Sequence, residues 1–249
     1  MKTLLAIGDS HTFGAELVRE GDMDSIENTY YAYPKKLGDI LGFDNVVNLG
    51  KSGGSNMRIE RKLYEYIVSE QPNPQLVILG WTTLGRFEYC TKINENGDYE
   101  YSTLTSWSNP VFLDDAFDKN FFETLLPIVT AEDLLAQKYR SLYSCQTLCE
   151  RFNIPYLMFD VMSNTKNSAP LEKDDVYKIW DGSNKVDRDF YNSINLNNYM
   201  EQDYWGYIFD LSNIDRGVGL SGGHANETGH TIWATKLKEE LQARNIYGE

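Results

Sequence analysis

Short apolar runs, closed by glycine or polar residues, alternate along the chain with longer segments of helical periodicity. The runs lie at residues 3–8, 45–49, 76–79 and 154–161, and each has the length of a buried parallel strand. A fifth strand, at an edge of the sheet, is predicted at residues 207–211. Strands that alternate with helices are typical of an α/β domain built on a parallel sheet.

The intervening segments predict helices, because their apolar residues recur every three or four positions. The first predicted helix covers residues 30–41; Pro34 is tolerated only in its first turn, and Gly42 ends it. Further helices are predicted after the glycine-rich turn at residues 50–56, over residues 130–152 and after Asn226, with short ones near residues 173–181 and 186–200.

Residues 86–130 depart from this alternation of strands and helices. Asn96-Gly97 predicts a β-hairpin turn between two short strands, and the segment is rich in aromatic residues. Long insertions in compact domains often carry function, so we interpret the segment either as a satellite core beneath a loop or as a lid or substrate wall. No repeat or composition break interrupts the rest, and a single domain over residues 1–249 is predicted.

Charge and hydropathy exclude several classes of function. The formal net charge of −14 at pH 7 repels phosphate backbones, so nucleic acid is not an expected partner. No apolar run approaches the roughly 18 residues that a membrane span requires, and no secretory signal pattern is present. A cytoplasmic location without membrane contact is therefore expected.

The residues that could take part in catalysis lie at the ends of the predicted strands. Asp9 and Ser10 follow the first strand, a glycine turn around Gly53 follows the second, Thr82 follows the third, and His224 precedes the last helix. The carboxyl ends of parallel strands meet at one crevice in a doubly wound sheet. A serine needs an adjacent base, usually histidine, to attack a carbonyl, and backbone N–H groups suit the oxyanion. Ser10 is the predicted nucleophile, with the Ser10 and Gly53 N–H groups as oxyanion donors.

Taken in order, these motifs resemble the SGNH hydrolases of the GDSL esterase/lipase superfamily. The resemblance spans the chain apart from residues 86–130 and 163–203. It implies a flavodoxin-like three-layer α/β/α sandwich with a central parallel sheet of about five strands, Ser10 as nucleophile, His224 as base, and an asparagine side chain as third oxyanion donor. The tyrosine- and asparagine-rich, proline-poor composition and the run Gly80-Trp81-Thr82-Thr83 further resemble phage-encoded members, and a phage origin would allow association with the virion. The matching residues are Gly8-Asp9-Ser10, Asn48-x-x-x-Ser52-Gly53, Gly80 and Gly223-His224-Ala225-Asn226-Glu227-x-Gly229-His230.

Two positions depart from the family pattern. Thr82 stands where the family has its oxyanion asparagine, and the Thr82 hydroxyl or the Asn56 amide are the candidate replacements. Ser221 stands where the family has the aspartate that orients the histidine. The candidate orienting groups are the Ser221 hydroxyl, a backbone carbonyl, Asp215 and Asp210.

Three further polar residues within or beside these motifs are interpreted as structural. Asp9 is expected to hold the nucleophile turn through backbone N–H groups, His11 to point away from the site, and His230 to be a helix-surface or packing residue. Three histidines without a carboxylate pattern predict no metal site, and no cofactor is predicted.

The function predicted from these residues is that of a serine esterase. Its substrate would be a carboxylic ester on a small molecule or a glycan, for example an O-acetyl group. A non-catalytic binding or structural module with the same fold is one alternative, favoured by the changes at Thr82 and Ser221. An acyl or acetyl transferase that uses the same acyl-enzyme is the other.

Overall fold

The computed structural model describes residues 1–69, 72–93, 99–105, 124, 131–162, 189, 192–214, 220–221 and 224–247. The described strands are β1 (Thr3–Ile7), β2 (Asn45–Asn48), β3 (Leu76–Trp81), β4 (Arg86–Ile93), β5 (Tyr99–Thr105), β6 (Tyr156–Asp160), β7 (Tyr199–Met200), β8 (Leu220–Ser221) and β9 (His224–Ala225). The described α-helices are α1 (Ser10–Phe13), α2 (Tyr33–Leu41), α3 (Asn56–Val68), α4 (Ala131–Arg151), α5 (Tyr204–Ile214) and α6 (Glu227–Ala243).

Five strands form the central sheet, in the order β2-β1-β3-β6-β7, and every pairing is parallel. β1 lies between β2 and β3, and Leu5 is in register with Val47 on one side and Val77 on the other. This order is the flavodoxin-like one, in which ligands bind beyond the carboxyl ends of the strands where the order reverses. The predicted five-stranded parallel sheet is confirmed.

Helices cover both faces of the sheet, which explains why its inner strands are continuously apolar. Leu4 and Ala6 of β1 pack in a core with α2, α5 and α6, whereas Leu5 and Ile7 pack in a second core with α3 and α4. The predicted three-layer α/β/α sandwich is therefore confirmed. None of the helices that the structure describes combines the length and apolar character needed to cross a membrane.

The first long helix is shorter than its sequence pattern predicts. α2 begins at Tyr33 rather than at residue 30, and residues 26–30 form a separate 3₁₀ helix. Pro34 explains the difference, because it lacks an N–H and is therefore tolerated only in the first turn of a helix. Gly42 ends the helix as predicted, with a left-handed φ of 69°.

The edge strand predicted at residues 207–211 is wrong, since those residues belong to α5. The fifth strand is instead β7, which lies within the range predicted as a short helix at residues 186–200. Asp203 starts α5 by accepting the Gly206 N–H at 2.6 Å, and Tyr204 and Ile208, four residues apart, are both fully buried. A short apolar run cannot be assigned to strand or helix by periodicity alone.

The hairpin predicted within residues 86–130 is confirmed, because β4 and β5 pair antiparallel. Its predicted Asn96-Gly97 turn lies outside the described residues, as does the helix predicted near residues 173–181. The hairpin rests on α3, where Arg61 donates to both carboxylate oxygens of Glu88 at 3.0 and 2.7 Å.

Two histidines, His11 of α1 and His230 of α6, are buried beside the core. The His230 Nδ1 accepts the Tyr33 N–H at 3.1 Å, and the ring is fully buried, so it is a packing residue rather than a surface one. Burial lowers the pKa of His230 to about 3 and that of His11 to about 4, so both rings are neutral at pH 7.

Acid is expected to destabilise the fold through these two rings. Below about pH 6.5 the unfolded chain binds protons that the folded chain does not, so the free energy of unfolding falls with pH until the folded pKa is reached. Each ring contributes about 1.4 kcal/mol per pH unit in that window. Urea unfolding at pH 7, 6 and 5 measures the slope. His230→Asn, which keeps an acceptor for Tyr33, should show a smaller slope; an unchanged slope would contradict the assignment.

Candidate active site

The turn that carries Ser10, the predicted nucleophile, connects β1 to α1 and is called the nucleophile turn. Asp9 is the N-cap of α1, and its Oδ1 accepts the His11 N–H at 3.0 Å. A side chain at Gly8 would place its Cβ 2.0 Å from the Thr12 Oγ1, so this turn requires glycine. Ser10 consequently occupies the first helical position, just beyond the carboxyl end of β1, and Asp9 holds the turn as expected.

His224 meets Ser10 from the other end of the chain. β8 and β9 pair antiparallel, with Ser221 in register with His224, and α6 follows with Asn226 as its N-cap. The His224 Nε2 lies 2.9 Å from the Ser10 Oγ. This is hydrogen-bonding distance, at which an imidazole can take the proton of a serine hydroxyl.

Glu16 occupies the other side of the His224 ring. Its Oε2 lies 2.8 Å from the His224 Nδ1, and its Oε1 accepts the Gly21 N–H at 3.1 Å. Only 9% of the Glu16 side chain is exposed. Its φ of 66° is in the left-handed region, which is uncommon for a residue with a side chain and often accompanies a functional constraint. A carboxylate at Nδ1 fixes the proton there and leaves Nε2 free to accept one.

The carboxylate at the His224 Nδ1 belongs to a residue that the sequence pattern did not select. Asp210 is exposed on α5, Asp215 lies outside the described residues, and Ser221 is seen through its backbone pairing with His224. The sequence signal for Glu16 is weak: it is the first carboxylate after Ser10. Several other carboxylates share that polar loop, and nothing in their spacing distinguishes them.

The glycine turn lies against the nucleophile turn. The Lys51 N–H donates to the Gly8 carbonyl at 3.2 Å, and Gly53 adopts a left-handed φ of 72°. Among the residues that the structure describes, neither the Ser10 N–H nor the Gly53 N–H has an acceptor. An oxyanion hole requires backbone N–H donors without a protein acceptor, and these two lie on turns that contact each other.

Asn56 and Thr82 are both engaged with protein groups. The Asn56 side chain accepts the Thr82 N–H at 2.9 Å and donates to the Thr82 and Thr83 carbonyls at 3.1 and 3.4 Å. The Thr82 hydroxyl donates to the Asp9 Oδ2 at 2.8 Å. The predicted third oxyanion contact from either side chain requires one of these bonds to break, and this part of the prediction stays a prediction.

His11 packs beside the dyad without facing solvent. It is 2% exposed, and its ring centroid lies 4.8 Å from that of His224. Its pKa of about 4, lowered by burial, keeps the ring neutral, so it adds no positive charge next to His224 at neutral pH.

Solved structures share this arrangement of layers. The chain is similar to a protein assigned to the lipolytic G-D-S-L family from Desulfitobacterium hafniense DCB-2, with a TM-score of 0.50, 16% identity, and coverage of 97% of this chain and 100% of that one. The chain has the GDSL (SGNH) hydrolase fold.

Two esterases of known structure share the GDSL fold with this chain. The psychrotrophic esterase EstA from Pseudoalteromonas sp. has a TM-score of 0.50 and 12% identity, with 98% of each chain covered. A catalytic mutant of the acetylxylan esterase Axe2 from Geobacillus stearothermophilus has a TM-score of 0.50 and 13% identity, covering 96% of this chain and 94% of that one. No protein-family model and no curated protein matches the chain by sequence.

Proposed function

We propose that this GDSL-fold protein is a serine esterase that hydrolyses a carboxylic ester through an acyl-enzyme on Ser10. The observation that carries the proposal is the continuous hydrogen-bonded series from the Ser10 Oγ through both nitrogens of His224 to Glu16, with distances of 2.9 and 2.8 Å. A nucleophile, a base and a carboxylate in this order generate a reactive serine on unrelated folds.

The reaction begins when the Ser10 Oγ attacks the ester carbonyl and His224 Nε2 takes the hydroxyl proton. The resulting oxyanion accepts hydrogen bonds from the Ser10 and Gly53 N–H groups. Collapse of this intermediate breaks the bond to the alkoxy oxygen, which receives the proton from His224 and leaves as an alcohol. Water then attacks the acyl-enzyme, His224 again takes a proton, and Ser10 is regenerated with release of the carboxylic acid.

Glu16 stabilises the charge that His224 acquires during both steps. Its carboxylate accepts from the Nδ1–H and holds the ring in the tautomer whose Nε2 can accept a proton. The left-handed backbone at Glu16 and its bond from Gly21 fix the carboxylate in place, so little reorganisation accompanies the transfer.

An O-acetyl group on a glycan is the ester we propose to test first. The fold shared with an acetylxylan esterase, at 13% identity, supports this choice. The insertion beginning at residue 86 is proposed as a substrate wall, because its first residue, Arg86, reaches Asp9 next to the nucleophile.

A non-catalytic binding module is the second candidate. The observation that favours it is that Asn56 and Thr82 are engaged with protein groups and leave the oxyanion hole with two backbone donors. Loss of one oxyanion donor costs about 10²–10³-fold in rate in another serine hydrolase, which slows catalysis without abolishing it.

Covalent labelling with a fluorophosphonate is the experiment that separates the two candidates. We expect one adduct per chain by intact mass, mapped to the peptide that contains Ser10, because the reagent reacts with serines activated by an adjacent base. The adduct should be absent from His224→Ala and retained in Ser212→Ala, which removes a hydroxyl from an α5 serine that donates to the Phe209 carbonyl. A folded wild-type protein that stays unlabelled would favour the binding module.

A further inference from the structure

Arg86 joins the inserted hairpin to both turns of the candidate site. It is the first residue of β4, and its Nη1 lies 3.2 Å from the Asp9 Oδ2 and 3.2 Å from the Gly54 carbonyl oxygen. The side chain is 10% exposed, and Asp9 is fully buried. One guanidinium group therefore contacts the turn that carries Ser10 and the turn that carries Gly53.

The charge of Asp9 gives this contact an electrostatic role. A buried carboxylate beside the nucleophile opposes the build-up of negative charge on a substrate oxygen, and a buried charge without a partner is costly. Thr82 and the His11 N–H also donate to Asp9, but both donors are neutral. Among the described residues, Arg86 is the cation that forms an ion pair with Asp9.

The glycine turn gives the contact a geometric role. Glycines have wide conformational freedom, so a donor within a glycine-rich turn keeps its direction only if neighbouring groups are held. The Gly54 N–H donates to the Lys51 carbonyl at 2.8 Å, and the Gly54 carbonyl accepts from Arg86. Hydrogen bonds therefore hold both the N–H and the carbonyl of Gly54, the residue that follows Gly53.

We propose that Arg86 is a positioning residue that aligns the Ser10 and Gly53 N–H donors and balances the charge of Asp9. This inference rests on the proposed esterase function and deepens it. The inserted hairpin then has a second role besides lining the substrate site. Arg86, at the start of its first strand, supplies the guanidinium group that contacts both turns.

The same strand offers a matched control. Glu88, two residues after Arg86, forms a bidentate ion pair with Arg61 of α3, and 5% of the Glu88 side chain is exposed. Arg61→Met removes an arginine–carboxylate pair that anchors the hairpin without touching either turn. Comparing Arg86→Met with Arg61→Met separates the alignment of the donors from general support of the hairpin.

The test measures kcat and KM for p-nitrophenyl acetate, with urea unfolding to report folding. Arg86→Met should lower kcat by about 10²–10³-fold with KM changed less than about threefold, as expected for loss of oxyanion alignment. Arg86→Lys keeps the positive charge, but the shorter lysine side chain does not carry its nitrogen to the position of the Arg86 Nη1, which makes both contacts. Its kcat should therefore lie between those of Arg86→Met and wild type. Arg61→Met should keep kcat within about twofold of wild type while lowering stability.

Several results would overturn the inference. A folded Arg86→Met with wild-type kcat would do so, as would an Arg61→Met that loses as much kcat as Arg86→Met. If Arg86→Met does not fold, Arg86→Lys decides, and a wild-type kcat in that variant overturns the inference. A wild-type protein with neither turnover nor a Ser10 adduct overturns the esterase proposal and this inference together, whereas the other results leave the esterase proposal standing.

Discussion

Ester turnover is expected to fall by about 10⁶-fold in Ser10→Ala, as it does when a hydrolytic triad loses its nucleophile. Ser10 supplies the oxygen that becomes covalently bound to the acyl group. Among the described residues, no other hydroxyl contacts His224 and could replace that of Ser10. Removing the Oγ leaves the Ser10 N–H in the backbone, so binding and the oxyanion contacts persist. Initial rates with p-nitrophenyl acetate and with an O-acetylated xylo-oligosaccharide measure the loss.

The variant should fold normally, because the Ser10 hydroxyl bonds to His224 at the site and not within either core. Urea unfolding serves as the check, and Ser212→Ala serves as the matched serine control. Turnover in Ser10→Ala above about one hundredth of the wild-type rate would contradict the proposal, since the residual activity of triad variants lies far below that level.

Glu16→Gln is expected to lower kcat by about 10⁴-fold with a small change in KM. The substitution preserves shape but replaces a carboxylate acceptor with an amide, and the corresponding change in another serine hydrolase has this magnitude because the histidine adopts the wrong tautomer. An amide NH₂ that faces Nδ1 would place the ring proton on Nε2, where it blocks proton transfer from Ser10. Steady-state kinetics with p-nitrophenyl acetate provide the measurement.

Glu20→Gln provides the control for this prediction. Glu20 lies in the same loop and carries the same charge, but its side chain is exposed, so its substitution should leave kcat unchanged. Fluorophosphonate labelling of Glu16→Gln should also slow, because the same proton transfer activates Ser10 toward the reagent. A Glu16→Gln variant with kcat within tenfold of wild type would show that the carboxylate does not orient His224.

The central sheet and the contact between Ser10 and His224 can be predicted from local sequence patterns. Apolar runs of strand length, each ended by glycine or a polar turn, place Asp9-Ser10 and the glycine turn at the same sheet edge. A loop histidine just before the N-cap of the last helix then has a short path to that edge. These features depend on local chain direction, which periodicity and turn residues encode.

The features that the sequence did not predict depend on the course of the chain in the folded structure. The approach of Glu16 to His224 is set by the course of a loop that bends back through the Glu16 N–H to Asp22 carbonyl bond, which has no periodic signature. The misassigned α5 has a related cause, because its apolar run is equally compatible with a strand, and the burial of Tyr204 and Ile208 under the sheet decides in favour of the helix.

Ser10 and His224, the proposed nucleophile and base, are separated by 214 positions along the chain. Translation proceeds at about 5–20 residues per second, so roughly 10–40 s pass between the synthesis of Ser10 and that of His224. During that interval the nascent chain carries Ser10 and Glu16 but lacks His224, the side chain that bonds to both in the folded protein. On the proposed mechanism, activation of the Ser10 hydroxyl therefore begins only when the last part of the chain has docked.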